Sequence, residues 1–296
     1  MKRTNILKTF IIFLSTHCWL SLATAMAQPL TSRSVTASAY IERGLAWFAK
    51  GDYERALADF DLAVASDPGH AGAYYNRATV RCYLQDYERA IADFTRALQL
   101  NPRLTKAYVD RSWARSKLGD PDGVISDCDK AIELEPRLAV AWNNRGLARG
   151  GKGDHAGALA DFDRAIKLDP RRVEFYNNRG VARLRIEDFS GAISDQTQAI
   201  KLKPDYVEAW SDRGAARQMK GDFDGALADY NQAIKLNQRF ADAWFNRGAY
   251  WKAKGDLERA EADFTRATEL KPHAADAYGQ RGLVRLLSGK QNEAEQ

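Results

Sequence analysis

The side chains best placed to do chemistry in this chain form two rows, and neither row is a catalytic set. The first carries amides. Asn76, Asn144, Asn178 and Asn246 recur at one phase of a constant spacing, with Asp110 and Asp212 at the intervening places. Asn143 and Asn177 stand beside two of them, and Tyr75, Tyr83, Trp113 and Phe245 lie close by in the same segments. A carboxamide donates and accepts at once, so such a row can hold the backbone of an extended peptide with little regard for its sequence. Aromatic neighbours can anchor the side chains of that peptide, although contact with an adjoining segment accounts equally well for Trp113.

The second row carries charge. Arg43, Arg77, Arg111, Arg145, Arg179, Arg213 and Arg247 are each followed by an acid: Asp59, Asp93, Asp127, Asp161, Asp195, Asp229 and Asp263. A guanidinium fork matches a carboxylate two bonds at a time, and an unpaired charge on a helix interface is expensive. These residues are therefore expected to form an internal ion-pair ladder that fixes helix register. An open arginine track for phosphate or an acidic peptide is the alternative. No Ser/His/Asp set, metal-spaced His or Cys cluster, or phosphate-binding glycine loop is present in the sequence. His70, His155 and His273 fall at expected turns. No enzymatic activity, metal or cofactor is expected.

The elements that must position these rows follow from a strict period. Asp52, Asp86, Asp120, Asp154, Asp188, Asp222 and Asp256 are evenly spaced, without one insertion or deletion between them. One supersecondary unit is thus repeated along an axis. The units run 37–70, 71–104, 105–138, 139–172, 173–206, 207–240 and 241–274, with a partial eighth at 275–296. In each, a first helical pattern places an aromatic at position 4 (Tyr40, Trp142, Trp244) and a small residue at position 8 (Gly44, Ala78, Gly146, Gly214). A turn follows whose aspartate is suited to cap the next helix. The second pattern presents Ala56, Phe60 and Ala63, repeated as Ala90, Phe94 and Ala97, and closes at proline in most copies. Gln196 stands at the Phe position of the fifth unit.

An aromatic, a small residue, Gly-Asp, Ala-x3-Phe and Pro at this period resemble the tetratricopeptide repeat over residues 37–296. The resemblance implies an all-α fold, a right-handed α-solenoid of antiparallel helix pairs, with the first helices lining a concave groove. It also implies a scaffold that binds another protein or an extended peptide. The amide row is similar to the asparagine ladder in the repeats of O-linked N-acetylglucosamine transferases, at Asn76, Asn144, Asn178 and Asn246. The carboxylate clamp of chaperone-binding members is not reproduced, since Ile41 and Leu45 replace its first pair and Asp110 its final arginine. Arginine at position 7 also departs from the usual leucine.

Residues 1–27 read as an export signal, with Lys2, Arg3 and Lys8 before the apolar run from Phe10 and small residues near Ala27. A short disordered leader is expected at 28–36. Cleavage implies a bacterial periplasmic or extracellular protein without a membrane span, and an uncleaved N-terminal anchor is the alternative. Without those three basic residues, 41 Lys and Arg stand against 39 Asp and Glu, a balance that argues against a nucleic-acid partner. Export permits a disulfide, but Cys82 and Cys128 do not make a disulfide scaffold, and Cys128, at a core position, is expected as a buried thiol. The glycine-rich stretch 120–155 is the expected weak point. An assembly role through the convex face or the C-terminal edge, where Leu283, Leu286 and Leu287 lie, is the second functional reading.

Overall fold

A computed structural model describes residues 36–289, and the proposed signal and most of the leader lie outside them. The described residues are all-α, an α-solenoid of fifteen helices in sequential antiparallel pairs. They divide into two compact units, the chain passing from one to the other between Asp169 and Pro170. The first holds α1 (Ala37–Ala49), α2 (Tyr53–Ser66), α3 (Ala71–Tyr83), α4 (Tyr87–Leu100), α5 (Thr105–Lys117), α6 (Pro121–Leu134), α7 (Ala139–Lys152) and α8 (His155–Leu168). The second holds α9 (Val173–Arg185), α10 (Phe189–Leu202), α11 (Val207–Lys220), α12 (Phe223–Leu236), α13 (Ala241–Ala253), α14 (Leu257–Leu270) and α15 (Ala275–Leu287). Within each unit, every helix packs on its neighbours in the chain, and successive first helices also touch.

The small residue at position 8 lets paired helices approach. A Cβ on Gly146 would lie 2.9 Å from Phe162 Cε1, and one on Gly214 would lie 2.7 Å from Tyr230 Cε1. The ring at position 24 therefore rests on the backbone of the first helix, and Phe60, Phe94, Phe162, Tyr230 and Phe264 are each at most 1 % exposed. Alanines at positions 20 and 27 complete the seam, for example Ala158 and Ala165, both fully buried. Gln196 occupies the same slot, fully buried, with only its Nε2 bonded, 3.3 Å from the Asn177 carbonyl oxygen.

Turn aspartates cap the second helices. Asp52, Asp120, Asp154, Asp188, Asp222 and Asp256 each accept from the backbone N–H three residues on. Asp86 makes no such bond and instead pairs with Arg89 at 2.6 Å. Before these caps the chain turns through the left-handed region, at glycine in most copies but at Gln85 (φ 62°) and Glu187 (φ 63°) in two. A side chain there costs about 1–2 kcal/mol that glycine avoids. Gln85→Gly and Glu187→Gly should each raise stability by about 1 kcal/mol, read as a higher urea midpoint. Gly150 and Gly151 lie inside α7, and Gly153 forms its left-handed C-cap at φ 91°.

Candidate functional site

The charged row faces inward, and its geometry repeats closely. In all seven copies the position-7 arginine donates from Nε and Nη2 to the aspartate 16 residues on, at 2.8–3.0 Å and 2.5–2.8 Å. These aspartates, Asp59 through Asp263, are 5 % exposed or less. In five copies a second arginine at position 11 adds a bond: Arg81 to Asp93, Arg115 to Asp127, Arg149 to Asp161, Arg183 to Asp195 and Arg217 to Asp229, at 2.6–3.0 Å. Each position-7 guanidinium also lies 4.7–5.8 Å from the aromatic ring three residues before it. That contact is a cation–π arrangement.

The remaining nitrogen reaches backwards to position 25 of the preceding repeat. Arg77 Nη1 donates to Asp61 at 2.7 Å, Arg111 to Thr95 at 2.9 Å and Arg145 to Asp129 at 2.6 Å. In the second unit Arg213 donates to Thr197 at 3.2 Å and Arg247 to Asn231 at 2.6 Å. In these five arginines Nε, Nη1 and Nη2 all donate within the protein, which closes the open-track alternative for them. The position-25 acceptors were not singled out from sequence. Their signal was an oxygen-bearing side chain in every copy, Asp, Thr or Asn, on an otherwise variable face.

The amide row behaves differently from the expectation of an exposed ladder. Asn143, Asn144 and Asn177 are buried, at 5, 3 and 1 % exposure, and do not stand open to a partner. The reason lies in the seam between successive first helices. Tyr75 Oη donates to Asp110 Oδ2 at 2.7 Å, and Asn246 Nδ2 donates to Ser211 Oγ at 3.0 Å. Both pairs link position 5 of one repeat to position 6 of the next, 35 residues apart, so these side chains lie within the seam. Asn144 falls opposite Val109 in this register, which has nothing polar to offer. Its Nδ2 is left without a hydrogen-bond partner, while its Oδ1 accepts from Asn143 Nδ2 at 3.4 Å. Asn76 and Asn178 are partly buried.

The aromatics divide similarly. Tyr83 keeps 39 % exposure, stacked on Tyr53 at 5.1 Å and edge-on to Phe48 at 5.0 Å. Trp113 is a packing residue and not an open anchor. It meets Tyr87 of the preceding repeat edge-on at 5.7 Å, and its Nε1 is buried without a partner. Phe245 packs on Phe264 at 5.5 Å. Cys82 and Cys128 are free and buried, and burial pushes both thiols up to about 12.

Two acids on this face are held well above the ordinary carboxylate range. Burial raises Asp110 to about 6 against the opposing Tyr75 hydrogen bond. Burial first, then the charges of Glu208 and Asp242, raise Asp212 to about 7. Because the folded value exceeds the unfolded one, the fold holds a proton that the unfolded chain releases. Each group's contribution to stability therefore falls as pH rises from about 4 through the folded value. Among the described residues no cluster of His, Cys, Asp or Glu could hold a metal ion, and no helix is long and apolar enough to cross a membrane.

Residues 37–70, 71–104, 139–172, 173–206 and 241–274 match the tetratricopeptide repeat, and residues 219–254 match a TPR repeat. No curated protein matches the chain. Among solved structures it is similar to a tetratricopeptide repeat protein from Parabacteroides merdae, with a TM-score of 0.71 and 19 % identity over 84 % of this chain and 98 % of that one. It is also similar to Cut9–Hcn1 of the APC/C, with a TM-score of 0.68 and 16 % identity over 83 % of this chain and 48 % of that one. PilW, described as a type IV pilus biogenesis factor, gives 0.63 and 20 % over 70 % and 96 %. At such identities the likeness is one of fold.

Proposed function

The chain belongs to the tetratricopeptide repeat family, and from that premise we propose that it holds an extended segment of another protein along its first-helix face. As a protein–protein interaction scaffold it needs no catalytic group of its own. The observation that carries the finer reading is the contact between successive first helices within each unit, which makes one continuous face from α1, α3, α5 and α7 and another from α9, α11, α13 and α15. On the first of these faces Tyr83 offers an exposed ring and Asn76 an amide. Together they supply an anchor and a backbone contact.

A second reading has its own support. Leu283, Leu286 and Leu287 of α15 are 41, 50 and 58 % exposed, an apolar edge suited to docking in a larger cell-envelope assembly. Export of the chain, with cleavage near Ala27, belongs to both readings. Affinity purification from the exported fraction, with the captured protein identified and then retested, separates them. The groove reading expects Asn76→Ala with Tyr83→Ala to lose the captured protein and Leu286→Asp to keep it. The reverse pattern would establish the edge as the binding surface.

A further inference from the structure

The first-helix face of residues 170–289 contains a place where two acids stand without a paired cation beside a buried amide oxygen that receives no hydrogen bond. The register that sets Tyr75 against Asp110 and Ser211 against Asn246, 35 residues apart, sets Asn177 against Asp212. Asn177 is 1 % exposed, and its Oδ1 receives no hydrogen bond. Asp212 and Glu208 form no ion pair among the described residues, and the charges acting on Asp212 are those of Glu208 and Asp242. Asp242 is already bound by Lys271 at 2.5 Å and Glu174 by Arg172 at 3.5 Å, so the uncompensated charge sits on Glu208 and Asp212.

A second buried acceptor adjoins this place. Gln196 is fully buried with Nε2 3.3 Å from the Asn177 carbonyl oxygen, and its Oε1 receives no hydrogen bond. Six of the seven repeats carry Phe, Tyr or Cys at that position, so packing does not call for an amide. Buried acceptors without donors are costly, and two neighbouring carboxylates repel. A neutral donor would satisfy the amides and leave the repulsion. A group that brings several N–H donors and a positive charge answers both without a proton on Asp212, which describes a guanidinium or an ammonium.

We propose that this face takes a basic side chain of an extended partner segment, arginine or lysine, between Asn177, Glu208 and Asp212. The proposal rests on the reading of the first-helix face as the binding surface and adds the chemistry of what it binds. Charge complementarity selects the occupant. A peptide backbone running along the face delivers a basic side chain at this point, whereas an acidic segment would meet repulsion.

The test titrates fluorescein-labelled hexa-arginine into the full chain by fluorescence anisotropy, with hexaglutamate and spermidine in parallel. Hexa-arginine should bind and hexaglutamate should not. Asp212→Asn and Glu208→Gln should each weaken binding by about tenfold or more, and Asn177→Ala should weaken it measurably. Asp212→Asn removes a like-charge contact, so loss of binding in that variant is not a folding defect. Glu88→Gln, at an exposed acid of α4 in the other unit, should leave the affinity unchanged. Equal affinity in Asp212→Asn, Glu208→Gln and the parent overturns the site. Spermidine binding as tightly as the peptide overturns an extended segment as the occupant. If the captured protein is lost with Asn76→Ala and Tyr83→Ala but kept by Asp212→Asn with Glu208→Gln, this inference fails while the groove reading stands.

Discussion

Replacing Asp229 by alanine should destabilise the unit it belongs to by roughly 3–5 kcal/mol. Asp229 is 2 % exposed and takes three charged hydrogen bonds, two from Arg213 and one from Arg217. Arg213 is itself only 8 % exposed, so removing its partner leaves a cation that water reaches poorly. The loss measures the uncompensated charge rather than any net gain from the pair, since buried ion pairs often do no better than apolar packing. Asp59 supplies the internal contrast. It has a single arginine, Arg43, whose side chain is 33 % exposed, because Trp47 replaces the second one. Asp59→Ala should therefore cost less, roughly 1–3 kcal/mol. Urea titrations read by circular dichroism measure both, and equal losses at the two sites would contradict the role given to burial. Repeat arrays do not always unfold in one step, so hydrogen exchange should accompany the titrations to locate the weakened helices.

Phe162→Ala should cost about 3–5 kcal/mol in the other unit. The ring is 1 % exposed and lies against the bare backbone at Gly146, where no side chain can move in to fill the space. The cavity would consequently persist, which puts the expected loss toward the upper part of that range. The same slot in the fifth repeat predicts the opposite sign. Gly180 leaves the floor open above Gln196, and Gln196→Phe exchanges an unbonded buried oxygen for apolar contact, a gain of about 1–3 kcal/mol. Differential scanning calorimetry would register a lower transition temperature for the first variant and a higher one for the second. A loss of stability in Gln196→Phe would mean that the slot is shaped for the amide.

The helix pairs were legible because the period is strict and the small, aromatic and alanine positions keep their phase through it. The pairing of Arg43 with Asp59, and of its six counterparts, could be anticipated because both partners recur in every full copy and lie on facing sides of one hairpin. What lay outside the sequence reading depends on distances between neighbouring hairpins. Nothing in Asn144 announces that the register sets it opposite Val109, and nothing in Trp113 announces Tyr87, since both follow from how stacking seats one hairpin on the next. The position-11 exceptions were a usable signal that passed unread. Trp47 and Trp251 replace arginine where position 19 is Arg55 or Arg259, and the guanidinium of each lies over the indole at 4.7 and 3.7 Å. In the third to sixth repeats position 19 is glycine and position 11 is arginine, whereas the second carries arginine at both, Arg81 and Arg89. In the first and seventh repeats one cation–π contact thus stands in for one ion pair.

The placement of each position-7 arginine has a consequence for how such an array can change in length. Arg77 finds its acid 16 residues ahead and its backward acceptor 16 residues behind, and Arg145 and Arg247 repeat this. Five joints within the two units therefore present the same half-connector on both sides, whereas Arg281 reaches back to Thr268 instead of position 25. Removing or inserting a whole repeat would bring an arginine from one copy against the position-25 oxygen of another, and all the position-25 residues carry such an oxygen. A change by any fraction of a repeat would set guanidinium against carbon. The joint chemistry is modular in the engineering sense: lengths are quantised, and each permitted length arrives with its connectors already matched.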